Sequence, residues 1–80
     1  MAQKQKKVVL FTAPGCKWCT IAKQFLKDND VKFKLIDVSK DPKAVQECQK
    51  HGCRGVPVLL IGTQWVCGFD HEKIEKLLNL

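Results

Sequence analysis

An apolar run, Val8-Val9-Leu10-Phe11, gives way through a short loop to a stretch with helical spacing, and Cys16-Lys17-Trp18-Cys19 sits at the junction. The run is continuous, β-branched and closed by an aromatic, which predicts a central strand buried on both faces. Trp18, Ile21, Ala22, Phe25 and Leu26 then recur at the three-and-four spacing of a core-facing helix. With Thr12-Ala13-Pro14-Gly15 as the connection, Cys16 falls at the N-terminus of that helix. Unpaired backbone N–H groups and the helix dipole favour a negative charge there. A thiol so placed ionises below its free value of about 8.5 and is a nucleophile near neutral pH. Cys19, one turn further in, is close enough to close a disulfide. The pattern predicts a redox-active dithiol, with Cys16 attacking and Cys19 resolving.

The remainder of the chain predicts its partners. Val31, Phe33 and Leu35 alternate with Lys32 and Lys34, as in a strand with one wet face. Asp41-Pro42 reads as an N-cap followed by proline in the first helical position. Ala44, Val45 and Cys48 mark the buried side of that helix, and Gly52 its end. Val58-Leu59-Leu60-Ile61, a turn at Gly62-Thr63, and Trp65-Val66-Cys67 predict a hairpin. Asp70 caps a last helix with Ile74, Leu77 and Leu78 inside. The order is β-α-β-α-β-β-α, with a parallel, right-handed first crossover and an antiparallel final pair. This is an α/β chain: a four-stranded mixed sheet flanked by three helices.

Composition narrows the function classes. Eighty residues predict one small domain over 1–80, with a polar tail at 1–6. The apolar run is too short for a signal-peptide core or a membrane span, so the expectation is a cytoplasmic monomer without a membrane partner. Of the net charge of +6, three charges belong to Lys4, Lys6 and Lys7, leaving 6 − 3 = 3 on the rest. The other lysines are scattered, which argues against nucleic acid and fits a mildly acidic protein partner. Five cysteines, an odd number, disfavour a secreted disulfide scaffold. One working pair with three further thiols is expected: Cys48 as a small helix-face hydrophobe, Cys53 as a packed loop residue, and Cys67 as a packed or regulatory thiol. No metal site is expected, because no second C-x-x-C supplies the remaining ligands of a structural zinc. His51 at a helix end and His71 in a first turn need no metal.

Four features together resemble the glutaredoxin and redoxin branch of the thioredoxin superfamily. Phe11-Thr12-Ala13-Pro14-Gly15-Cys16 with Cys19 resembles its aromatic-Thr-x-Pro-x-Cys-x-x-Cys opening. Val56-Pro57 resembles its Val-Pro pair, and Gly68-Phe69-Asp70 its groove-closing turn. The short length, lacking the extra N-terminal strand and helix of full thioredoxins, is the fourth. The resemblance implies a thioredoxin fold and a thiol–disulfide oxidoreductase needing no organic cofactor. It implies a cis Val56-Pro57 bond whose backbone pairs with an extended substrate, and a substrate groove closed by Gly68, Phe69 and Asp70.

Departures from the family pattern bear on the partner. Lys17-Trp18 stands between the cysteines where Pro-Tyr is frequent. Lys17 either adds a charge beside the thiol or is a solvated lysine; Trp18 is either a docking surface or the start of the core stripe. Ala13 occupies the place of a glutathione-binding lysine, and Cys67 that of the first glycine of the closing turn. Thioredoxins proper often carry a buried aspartate where Leu10 stands, so a carboxylate base is missing there. Trp65 and Gly68-Phe69 resemble NrdH-type redoxins, which take electrons from thioredoxin reductase and pass them to ribonucleotide reductase. The expected partners are therefore a disulfide-containing protein and, upstream, thioredoxin reductase, with glutathione as the alternative reductant. The rival reading is an iron–sulfur or zinc module using the same cysteines.

Overall fold

In the computed structural model, which describes residues 7–79, the order of elements is the expected one. The chain runs β1 (Val8–Thr12), α1 (Lys17–Asp28), β2 (Lys34–Asp37), α2 (Pro42–Lys50), β3 (Val58–Ile61), β4 (Gln64–Cys67) and α3 (His71–Leu78). The polar tail assigned to residues 1–6 lies outside the described residues. The strands lie in the order β2-β1-β3-β4. β1 runs parallel to β2, with Leu10 opposite Leu35, and antiparallel to β3, with Leu10 opposite Leu59. β3 and β4 form the hairpin, with Val58 opposite Cys67.

Strand alternation sorts β1 into two cores. Val8 and Leu10 point to one face, where Ala22 and Leu26 of α1, Leu59, Ile61, Val66 and Ile74 of α3 close around them. Val9 and Phe11 point to the other, against Ala44 and Cys48 of α2, with Cys53 and Val58. Helices on both faces are the reason the run 8–11 carries no polar residue. Asp41 and Asp70 cap their helices as expected, each accepting an N–H bond of 3.2 Å, from Ala44 and Lys73 respectively. Gly52, just past α2, has φ +84°, a left-handed conformation that favours glycine.

The second strand departs from its alternation. It starts at Lys34, not Val31, and Leu35 is exposed, while Val31 is buried in the loop before it. Leu35 shares the Leu10 face, but β2 is the sheet edge and the depression beside it is open. A 3-10 turn, Val38–Lys40, follows, an element beyond those expected from the sequence. Its cap is Asp37, whose carboxylate accepts the Ser39 hydroxyl at 2.6 Å and the Ser39 N–H at 2.9 Å. Those bonds, the hydroxyl's first, hold the Asp37 carboxyl below its ordinary value of 3.8. A depressed pKa stabilises the fold above the unfolded value, and that contribution is lost as pH falls through the folded one. NMR titration of Asp37 is expected to give a midpoint below 3.8, and Ser39→Ala to move it back up.

Candidate active site

The turn between β1 and α1 delivers the first sulfur. Gly15, at φ +75°, takes a conformation costly for other residues and turns the chain into the helix. Cys16 is then the N-cap of α1, in extended conformation, and its Sγ accepts the Cys19 N–H at 3.1 Å. A serine or aspartate oxygen usually occupies this position. Here a sulfur receives the helix N–H, an arrangement that stabilises negative charge on Cys16 Sγ once the pair is reduced to thiols.

The Cys16 and Cys19 sulfurs are bonded, with their Cα atoms 5.2 Å apart. Their exposure differs. Cys19 is 3% exposed and packed under the helix, whereas Cys16 is half-buried at its end. An incoming group reaches Cys16 first, which is the polarity required of an attacking and a resolving thiol.

The other predicted residues fall into two groups. Across from α1, the Val56 carbonyl oxygen lies 3.7 Å from Cys16 Sγ, a contact spanning 40 residues of sequence. The Val56–Pro57 bond is cis. Gly68 donates its N–H to the Pro57 carbonyl at 2.8 Å, tying the end of β4 to this segment. Trp18 is 56% exposed, which places it outside the core stripe. Its ring stacks on Phe69 at 6.3 Å, and Phe69 meets Phe25 edge-on at 5.4 Å. Cys16, Trp18, Val56, Pro57, Gly68 and Phe69 thus gather at one end of the sheet. Lys17 is exposed on the first turn of α1, and the exposed Asp70 spends its carboxylate on capping α3.

The expectation of three separate thiols is overturned. Cys53 and Cys67 are joined in a second disulfide, with Cα atoms 5.1 Å apart and a sequence separation of 14. The register of the hairpin is the reason: pairing Val58 with Cys67 sets the end of β4 beside the segment that leads into β3. The cysteines themselves carry no mutual spacing motif that would announce the bond in the sequence. Cys48 alone among the described residues is a free cysteine; burial, then the Glu47 charge, pushes its thiol pKa up. His51 stacks on Trp65 at 4.3 Å, and Trp65 on Phe11 at 5.6 Å. Among the described residues, no three His, Cys, Asp or Glu side chains form a group that could hold a metal ion, and no helix is long and apolar enough to cross a membrane.

Comparison with known proteins gives this geometry a context. Residues 8–66 match the family model described as Glutaredoxin. An uncharacterised glutaredoxin-like 8.6 kDa protein from a rubredoxin operon of Clostridium pasteurianum is 31% identical over 73 residues, spanning 90% of this chain and 97% of its own. The crystal structure of a thioredoxin-like protein superposes with a TM-score of 0.84 at 36% identity, covering 90% of this chain and all of that one. The glutaredoxin-like NrdH-redoxin of Escherichia coli, a protein with a thioredoxin-like activity profile, superposes with a TM-score of 0.83 at 25% identity. That match covers 89% of this chain and 93% of the other.

Proposed function

This chain belongs to the glutaredoxin family of the thioredoxin superfamily and is a thiol–disulfide oxidoreductase, and from that premise we propose that it reduces protein disulfides through Cys16 and Cys19 with electrons from thioredoxin reductase. In the reduced protein, the Cys16 thiolate attacks one sulfur of a target disulfide. A mixed disulfide forms, and the target's other sulfur leaves as a thiolate and takes a proton. Cys19 then gives up its proton and attacks Cys16 Sγ, closing the Cys16–Cys19 bond and releasing the second target thiolate. Two electrons pass to the target, and the reductant restores the dithiol.

The observation that carries this reading is the position of Cys16 Sγ, between the Cys19 N–H at 3.1 Å and the Val56 carbonyl at 3.7 Å. The N–H favours the thiolate. The Val56 backbone offers an extended target chain a strand to pair with, beside the atom that attacks. Trp18 and Phe69 supply the apolar wall of the same docking surface, and Lys17 a charge for an acidic target.

The choice of reductant rests on two substitutions. A glutathione carboxylate lacks its lysine at Ala13, and the closing turn begins with Cys67, engaged with Cys53, instead of glycine. The likeness to NrdH-redoxin, whose activity profile is thioredoxin-like, supports the same choice. The test is NADPH consumption on insulin disulfide, with thioredoxin reductase and separately with glutathione plus glutathione reductase. Turnover with the first alone is expected; turnover with glutathione alone would make this a glutathione-dependent glutaredoxin.

A further inference from the structure

We infer that Cys53–Cys67 is a second, reversible dithiol–disulfide site, opened by small thiols at Cys67, whose closed state fixes the Val56–Pro57 segment. The docking value of that segment rests on the reading above; the reversibility of the bond does not. Three observations support the inference.

The two sulfurs are unequally accessible. Cys53 is 1% exposed and belongs to the core under α2, whereas Cys67 is an exposed residue at the end of β4. A small thiolate therefore attacks Cys67 Sγ, forming a mixed disulfide there and expelling the Cys53 sulfur, which takes a proton. A second small thiol attacks the small-thiol sulfur of that mixed disulfide. The products are a small-molecule disulfide and the Cys67 thiol. Two small thiols are oxidised and one protein disulfide is reduced. A small disulfide reverses every step, and the buried Cys53, adjacent to Cys67, closes the ring again.

The bond spans the docking segment. Cys53 begins the segment 53–57, and Cys67 stands opposite Val58, immediately after it. The segment is also tied by the Cys53 N–H to the Cys48 carbonyl at 2.9 Å and the Gly68 N–H to the Pro57 carbonyl at 2.8 Å, and its Val56 carbonyl lies 3.7 Å from Cys16 Sγ. Opening the disulfide removes one of these ties and leaves the others, which loosens the segment without unravelling it.

Between the buried Cys53 and Pro57, the segment borders open space. A depression of about 160 Å³ lies beneath it, lined by Val38, Val45, Cys48, Cys53 and Val56 among others. Arg54 and Gly55 are exposed, and a Cβ built on Gly55 would meet nothing within 4 Å. Arg54 and Gly55 therefore gain little from side-chain packing, which leaves the covalent tie a share in fixing the segment.

The test removes the first pair to isolate the second. A Cys16→Ser/Cys19→Ser chain keeps 5 − 2 = 3 cysteines. It is equilibrated in dithiothreitol redox buffers, alkylated after denaturation and weighed. One adduct under oxidising conditions, rising to three in a single two-electron transition, is expected. Three adducts throughout, or one throughout even in excess dithiothreitol, overturns the inference. Hydrogen exchange on the same chain reads the second half of the claim. Amides of residues 54–56 are expected to exchange about tenfold faster once the pair is open. Equal rates in both states would show that the bond does not fix the segment. Neither readout involves turnover, so a failure here is distinct from a failure of the proposed reaction.

Discussion

Cys16→Ser is expected to abolish disulfide reduction, lowering turnover by three or more orders of magnitude. Removing a nucleophile in other enzymes costs up to about 10⁶-fold, and a serine oxygen cannot form the mixed disulfide at all. The variant separates chemistry from folding because serine is itself a favoured N-cap. Its Oγ can take the Cys19 N–H that Cys16 Sγ accepts at 3.1 Å, so α1 keeps its cap. The reduced variant should therefore unfold within about 1 kcal/mol of the reduced parent. Cys19→Ser is expected to behave differently. The buried resolving thiol is gone while the attacking one remains, so the mixed disulfide with the target accumulates and shows as an added mass. Turnover surviving in Cys16→Ser would mean that another sulfur attacks, and Cys67, which is exposed, would be the first to examine.

Local patterns and long-range pairings were not equally legible in the sequence. The strand run at 8–11, the helix after Cys16 and the caps at Asp41 and Asp70 follow from spacing and residue type alone. So does Cys16 at a helix N-terminus, because a period change and a loop fix that junction within a few residues. Alternation at Val31, Phe33 and Leu35 gave the faces of a strand but not what covers them. Coverage depends on which strand lies at the sheet edge, and that is decided by residues far away. The Cys53–Cys67 bond is hidden from the sequence for the same reason. It depends on the register of β3 against β4, whereas counting cysteines reports only parity. Trp18 lies on a valid helical stripe yet is 56% exposed beside Phe69, because periodicity gives the face of a helix and not how far along it the core extends.

Leu10→Ala and Leu35→Ala should have very different costs, although the two leucines are Cα partners in the parallel β1–β2 pair. They share a side-chain face and differ in what lies above it. Leu10 is 0% exposed, closed in by α1, α3 and β3, whereas Leu35 is 47% exposed on the edge strand. Truncating Leu10 loses the transfer energy of the side chain and leaves a cavity, about 2–5 kcal/mol together. Against the 5–15 kcal/mol typical of a whole domain, that lowers the midpoint of thermal unfolding by about 10 °C or more. Truncating Leu35 leaves no cavity and should cost at most about 0.5–1 kcal/mol. Urea titrations with both disulfides in the same redox state make the comparison. A Leu35→Ala cost equal to that of Leu10→Ala would mean that the β2 edge is covered in solution. The strand edge and its exposed leucine would then form an interface with a second copy, and the expectation of a monomer would fall.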